Sequence, residues 1–306
     1  MKQVSVVMST YNENVIYVRA AMDSLVNQTF SDIEIIVVID NPLNTELINV
    51  LSEYENTDKR VRLLRNDTNI GLARSLNKAI TNSSGKYIAR MDADDICEID
   101  RLTIQYEYLL THPNIDLVCS SVKRINENGE LINTKNYVPK DDQLLMKSLE
   151  YGTVIIHPSV MYRKEAFDKA GGYNNYVAAQ DLDLWIRMKR CGCKFHYILE
   201  PLLYYRISQD SITNSKSMIQ GISARYCIDV NKEGKDFIES DYHEYLSRLS
   251  GDSKFCSQYT RFEMAKKKKG LVGCFVIAYM ALVNKVCRGK VIKNLFIIFF
   301  MKKRTV

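Results

Sequence analysis

The chain has 306 residues, 46% of them hydrophobic and 25% charged, with a formal net charge of +6. That excludes a disordered chain and suffices for one large domain or two modest ones around a sizeable core. The charge is lopsided: Phe262 to Val306 holds eleven Lys and Arg against Glu263 alone, a local +10 that leaves residues 1–261 near −4. The basic character belongs to a tail, and such a tail points to an anionic surface, either membrane lipid or nucleic acid. Eight cysteines are scattered without a CxxC pair; Cys191-Gly192-Cys193 is the tightest spacing. They read as reduced thiols acting as small hydrophobes. The opening MKQVSVVMSTYNE is broken by Ser5 and Ser9. It is too short for a signal-peptide core and reads as a buried strand of a cytoplasmic protein.

The first hundred residues alternate. VSVVM is strand-like, and Glu13 to Asn27 reads as a helix with Val15, Val18, Met22, Leu25 and Val26 on one face. IEIIVVID is a nearly continuous apolar run, as in a parallel strand covered on both sides. A helical pattern follows from about Thr45 to Tyr54, then the short strand VRLLRN. NIGLARSLNKAITNSSG is a helix with Gly85 near its stop, and KYIARMD is another strand. The alternation predicts an α/β fold with a largely parallel sheet and ligands at the carboxyl ends of its strands. Beyond Asp100 the pattern loosens. RLTIQYEYLLTHP is an amphipathic helix, IDLVCSSVKRI a strand, NENGE a turn and DDQLLMKSL a short helix. HPSVMYRKEAFDKAGGY reads as strand, short helix and Gly-Gly stop, and DLDLWIRMKRCG as a helix with Trp185 available for the core. From about Ile212 the chain reads as all helical.

Chemistry concentrates in Asp92-Ala93-Asp94-Asp95. In an extended segment residues two apart face the same side, so Asp92 and Asp94 converge. Convergent carboxylates suit a hard divalent ion that also takes oxygens from a phosphate. An EF-hand loop starting at Asp92 would need an oxygen side chain at 96, Gly at 97 and Glu at 103. The residues there are Ile96, Cys97 and Thr103, which removes that reading. An exposed acidic turn capping the next helix remains the alternative.

VSVVMSTYNE, VVID, NIGLARSLNKAI, YIARMDADD and AAQDLDLWIRM come in an order and spacing similar to family 2 glycosyltransferases. The resemblance covers roughly residues 3 to 213. It implies a GT-A fold, a Rossmann-like, mostly parallel sheet flanked by helices, that binds a nucleotide-sugar. The expected division is a catalytic domain over 1–212, with a donor half at 1–100 and an acceptor half at 101–212. A helical region over 213–306 follows, ending in the basic segment 262–306. By resemblance, Thr10, Tyr11 and Glu13 line the nucleoside pocket and Asp40 pairs with the base, unless Asp40 is a plain strand-end residue. Asn69, Gly71 and Arg74 form the donor-side loop and helix, although Arg74 also fits a solvated helix face. Asp92 contacts ribose or sugar, and Asp94, with Asp92, holds Mn or Mg against the diphosphate. Asp181 matches the base of inverting members, with Gln180 before it and Asp183 as competitor. Asp181 equally fits a helix-opening anion. His157 and Trp185 fall on the acceptor side, with a structural role the default for His157. Arg206 fits an Arg-x-His segment, but Ser208 stands where a His is common.

In the tail, GLVGCFVIAYMALVN falls short of the roughly 20 residues that span a bilayer, and LFIIFFM follows after Lys285, Arg288, Lys290 and Lys293. Cations around two apolar runs read as helices lying in the interface of an anionic membrane. The alternatives are a re-entrant hairpin, or packing of the first run on the catalytic domain. Nucleic acid is disfavoured, because no polar groove with stacking aromatics accompanies the charge. The function expected is an inverting, metal-dependent glycosyltransferase using a UDP-hexose donor. Its acceptor would be a polyprenyl-diphosphate-linked glycan at the inner face of a bacterial membrane, in O-antigen, capsule or exopolysaccharide assembly. A catalytically inactive sugar-nucleotide binder and a glycoside hydrolase are the rivals. A dinucleotide-dependent oxidoreductase is disfavoured, since no G-x-G-x-x-G follows the first strand.

Overall fold

The computed structural model describes residues 2–132, 135–207, 217–267 and 271–305. Ser208 and Lys268–Gly270 lie outside them. The first half is built of β1 (Val4–Thr10), α1 (Val15–Val26), β2 (Ile33–Ile39), α2 (Thr45–Thr57), β3 (Val61–Arg65), α3 (Leu72–Thr81) and β4 (Tyr87–Arg90). β1 pairs in parallel with both β2 and β4, and β2 with β3. The sheet has two covered faces, so its strand residues divide by parity. Val4, Val6 and Met8 pack with Val18, Met22 and Leu25 of α1 on one face. Val7, Ile36 and Val38 pack with Leu76 and Ile80 of α3 on the other. The Asn14 side chain accepts from the Ile16 N–H at 2.9 Å, which starts α1 one turn after β1 ends.

The second half adds β5 (Ile96–Cys97), α4 (Arg101–Thr111), β6 (Leu117–Ile125), β7 (Lys135–Pro139), α5 (Asp142–Ser148), β8 (Val160–Arg163), α6 (Lys164–Lys169), α7 (Gln180–Arg190) and β9 (Phe195–Arg206). The sheet order is β3-β2-β1-β4-β8-β6-β9-β5. β8 is antiparallel to both β4 and β6, β9 is parallel to β6, and β5 is antiparallel to β9. The parallel half therefore continues into a mixed half through β8. Arg101 is fully buried and donates to the Arg90 carbonyl at 2.8 Å, tying α4 to the end of β4.

Among the described residues five helices follow: α8 (Ser217–Lys232), α9 (Glu239–Gly251), α10 (Ser253–Lys267), α11 (Leu271–Val283) and α12 (Lys285–Phe300). Cys227 of α8 and Tyr242 of α9 enter the same core as Trp185, whereas Ile222, Tyr259, Phe262, Met280 and Cys287 form a separate core among the helices. The all-helical expectation needs one correction. The chain closes with strand β10 (Met301–Thr305), antiparallel to β7 with Met301 opposite Pro139 and Thr305 opposite Lys135. Met301 is buried beside exposed Lys302 and Lys303, so the basic segment serves as a charged edge strand. Phe296 also packs inward, while Phe275, Leu282, Ile298 and Phe299 stay exposed. Among the described residues no helix is long and apolar enough to cross a membrane.

Gly85 does more than follow a helix. A Cβ there would lie 2.5 Å from Ser5 Oγ and 2.6 Å from the Ser5 backbone nitrogen. Strand β1 is held on both sides and cannot retreat. Gly85→Ala is expected to lower unfolding free energy by about 1–3 kcal/mol in urea melts, and an unchanged midpoint would show that this approach is not tight.

Candidate active site

Thr10, Asp40 and Asp92 stand at the carboxyl ends of β1, β2 and β4, the edge where parallel sheets bind ligands. Asp40 is buried. Its Oδ1 accepts from Asn66 Nδ2 at 2.7 Å and from the Ile70 N–H at 2.9 Å, and its Oδ2 accepts from the Gly71 N–H at 2.9 Å. Asn69 Oδ1 accepts from the same Gly71 N–H at 2.9 Å. Asp40 thus pins the loop that opens α3, and Gly71 supplies the required left-handed turn with φ +85°. Arg74 projects from α3 and pairs with Glu239 of α9 at 2.9 Å, an ion pair on an exposed helix face. Tyr11 is largely exposed, and its N–H donates to Glu13 Oε2 at 2.7 Å, turning Glu13 back toward the acidic stretch.

Asp92, Asp94 and Asp95 bring one carboxylate oxygen each within 4.8 Å of one another. Burial, then Asp92 and Glu13, push the Asp94 carboxyl up to about 7. Burial also raises Glu13, helped by Asp92, and raises Asp95 well above the carboxylate range, helped by Asp92 and Asp94. Asp95 Oδ1 accepts from the Arg206 N–H at 2.8 Å, while its buried Oδ2 has no hydrogen-bond partner among the described residues. Crowded carboxylates with raised pKa values form a site where added positive charge is strongly favoured. The countercharge supplied by the protein is Arg90, 2% exposed and ion-paired with Asp92. Arg206 clamps the same loop by donating to the carbonyls of Asp94 at 2.8 Å, Asn126 at 2.9 Å and Glu127 at 3.1 Å. Its guanidinium also stacks 4.1 Å over the Tyr17 ring.

Helix α7 carries the other carboxylates. Ala179, just before it, has φ +66° and is the non-glycine residue with positive φ among those described. A strained residue of this kind commonly marks a functional site. Gln180 is buried and opens the helix, and Asp181 follows. Asp181 lies deep among protein atoms yet keeps part of its surface open. Burial raises its pKa; the Leu182 N–H and the charges of Arg90 and Lys293 moderate the rise. Asp183 points into different surroundings. It is ion-paired with Arg187 at 2.7 Å and accepts from Asn174 at 2.9 Å and Asn231 at 3.2 Å. His157 shares a 2.8 Å hydrogen bond with the Tyr173 hydroxyl, and burial together with Arg90 pulls its pKa well below the usual value. It therefore stays neutral. Trp185 is fully buried, with its ring 6.0 Å from that of His157.

The sequence analysis passed over Arg90, Ala179 and Glu239, and named Lys293 only as a cation of the tail. Arg90 was within reach of the same rule that paired Asp92 with Asp94, since it precedes Asp92 by two residues. The backbone of Ala179 and the long-range approaches of Glu239 and Lys293 leave no local signal.

A mixed α/β sheet with an acidic loop at its strand ends is the arrangement of a GT-A type fold. The sequence profile of glycosyl transferase family 2 matches residues 5–171, and the chain belongs to that family. It is a glycosyltransferase, which sets aside the hydrolase and oxidoreductase readings. An uncharacterized glycosyltransferase of Methanocaldococcus jannaschii is 36% identical, covering 78% of this chain and 83% of that one. The O-antigen biosynthesis glycosyltransferase WbnJ of Escherichia coli is 34% identical over 70% of this chain and 84% of its own. Among solved structures, S. aureus TarS in complex with UDP-GlcNAc is similar in fold with a TM-score of 0.62. It is 18% identical and covers 80% of this chain and 71% of that one.

The two carboxylates of α7 should part under mutation. Asp183→Asn leaves Arg187 without its anion and is expected to cost about 3 kcal/mol in denaturant melts. Asp181 has a folded pKa above its unfolded value. Its charged form is therefore a burden that grows as pH rises from the ordinary carboxylate range through the raised pKa. Asp181→Asn should leave stability at neutral pH unchanged or higher. A large loss would assign Asp181 a structural role.

Proposed function

We propose that the chain is an inverting glycosyltransferase that moves a hexose from UDP-hexose to a hydroxyl of a polyprenyl-diphosphate-linked sugar. The work would be done at the cytoplasmic face of the membrane during O-antigen, capsule or exopolysaccharide assembly. The observation that carries this reading is the placement of Asp181. It is a half-buried carboxylate of raised pKa at the start of a helix, and it makes no ion pair among the described residues. An inverting transfer needs one such base for the attacking hydroxyl, on the face away from the leaving group. As the hydroxyl oxygen bonds to the anomeric carbon, Asp181 takes its proton. The bond to the diphosphate breaks on the opposite face, and an α-linked donor yields a β-linked product.

On the donor side, Thr10, Tyr11, Glu13 and Asp40 would border the nucleoside. Asp40 would do so while bracing the Asn69–Gly71 loop, and Arg74 would act from its pair with Glu239. Arg206 would hold the acidic loop in shape rather than touch the donor. The acidic loop suits a divalent cation, Mn or Mg, because it relieves the crowding of carboxylates that raises the pKa of Glu13, Asp94 and Asp95. Asp94, with Asp92, would hold it, and when bound it supplies positive charge against the leaving diphosphate. His157 and Trp185 would shape the acceptor side without exchanging protons. Residues 1–100 then form the donor half, 101–212 the acceptor half and 213–306 a helical region that meets the membrane. The O-antigen role in the name of WbnJ and the UDP-GlcNAc complex of TarS support the choice of pathway and nucleotide.

Two variants test the reading together. Asp181→Asn should reduce transfer by about 10²-fold or more and keep the rise in melting temperature given by UDP with Mn. Asp94→Ala should lose the Mn-dependent part of that rise. Full activity in Asp181→Asn would overturn the base assignment. No shift of the wild type with UDP and Mn would overturn the donor assignment.

A further inference from the structure

β4 and β8 part at the edge where the acidic loop lies. Their antiparallel ladder ends with Ala89 opposite Met161. At the next position, Arg90 against Val160, a side chain stands in for the rung. The carbonyls of Arg90 and Val160 both accept from Nη2 of Arg101, at 2.8 and 3.3 Å. The rest of that guanidinium is committed too. Its Nε donates to Gln105 Oε1 at 3.1 Å, and its Nη1 to the sulfurs of Cys97 at 3.2 Å and Met91 at 3.5 Å. Gln105 in turn donates to the Ser159 carbonyl at 2.8 Å. Arg101 and Gln105 are both fully buried.

Every one of these partners is neutral. Burying a guanidinium without a carboxylate is costly. A methionine would fill the same space without that cost, but it could hold neither carbonyl. The planar fork of an arginine reaches all of these acceptors from one fixed point. Its base is fixed as well, because Gln28 accepts from the Leu102 N–H at 3.0 Å and donates to the Glu98 carbonyl at 2.8 Å, pinning the start of α4.

The chain on either side of the wedge shows what it governs. β4 runs from Arg90 into Asp92, Asp94 and Asp95, and β8 begins directly after the turn His157–Ser159. Arg101 holds the backbone of Arg90, whose own side chain is ion-paired with Asp92. Cys97 lies two residues beyond Asp95, so one guanidinium grips the chain before and after the acidic stretch. Through Val160, and through Gln105 to Ser159, it also grips the end of the His157 turn.

We propose that Arg101 is a positioning residue for the transfer: wedged between β4 and β8, it sets the direction in which the acidic loop leaves the sheet and the offset of that loop from the His157 turn. It touches neither donor nor acceptor. The inference rests on the reading of the acidic loop as the site of cation and diphosphate, and adds the residue that aims it. A site of this kind works only while its supporting residues keep it in register.

The test compares the full chain as wild type, Arg101→Met and Arg101→Lys, each well below its melting temperature. UDP with Mn is titrated by calorimetry, which reads affinity separately from the number of sites per chain. Hydrogen exchange without ligand is followed over residues 89–98 and 156–161, with β2 and β3 as the internal standard. Arg101→Met should bind UDP with Mn about tenfold more weakly with the number of sites unchanged. Its exchange should be about tenfold faster in the two segments and unchanged in β2 and β3. Arg101→Lys keeps the charge without the fork, and should stay at least about threefold weaker than wild type. It carries the same readings if Arg101→Met does not fold. Wild-type affinity in both variants, whatever their melting temperatures, would make Arg101 a core residue and overturn the proposal. Full recovery in Arg101→Lys would assign the effect to charge alone and overturn the wedge. If wild type does not bind UDP with Mn, the donor reading fails and the exchange series decides alone. Faster exchange confined to the two segments then supports the positioning role, and a uniform or absent change overturns it.

Discussion

The buried ion pair of Arg90 with Asp92 is the constraint around which the site is organised. β4 ends inside the protein, and the chain immediately presents Asp92, Asp94 and Asp95, with Glu13 turned toward them. Such a concentration of negative charge is not stable at the end of a buried strand without an answer. The Arg90 guanidinium supplies it from beneath. Its charge is felt by Glu13, Asp94 and Asp95 on one side and by Asp181 and His157 on the other. One side chain thereby acts on both the acidic loop and Asp181, and adds to the burial that keeps His157 neutral.

Around this centre, other polar residues hold backbone in place. Arg206 fastens the acidic loop through three carbonyls, and Asp40 fastens the Ile70–Gly71 turn. Asp183 pairs with Arg187 within α7 and ties that helix to Asn174 and to Asn231 of α8. Precise placement needs such support, because a reacting group that is free to wander loses rate. It also explains how the helices after residue 217 take part. They contribute Asn231 to the anchoring of α7, Glu239 to the pairing of Arg74, and the charge of Lys293, which lowers the pKa of Asp181.

Much of this was legible in the sequence, and for a physical reason. β1, β2 and α3 carry strong periodicity because each buries a face against a single sheet, and the acidic loop follows from residues two apart sharing a side. The family resemblance rested on those same segments. The identity of the countercharge was recoverable but was missed, because Arg90 reads as the end of an apolar run. Asp181 and Asp183 could not be separated by spacing. Only the surroundings of each carboxylate tell them apart, and those come from Asn174, Arg187 and Asn231. The tail was half legible. Its amphipathic character is plain in the exposed Phe299 and buried Phe296, but its return to pair with β7 is a contact across more than half the chain.

The most direct test of the central claim is a double-mutant cycle of Arg90→Met and Asp92→Asn, read by denaturant unfolding at neutral pH. If the pair organises the site, each single change should destabilise the fold and the double variant should recover part of the loss, with a coupling energy of about 1–3 kcal/mol. Additivity within about 0.3 kcal/mol would contradict the account, since the two side chains would then be neighbours without being partners.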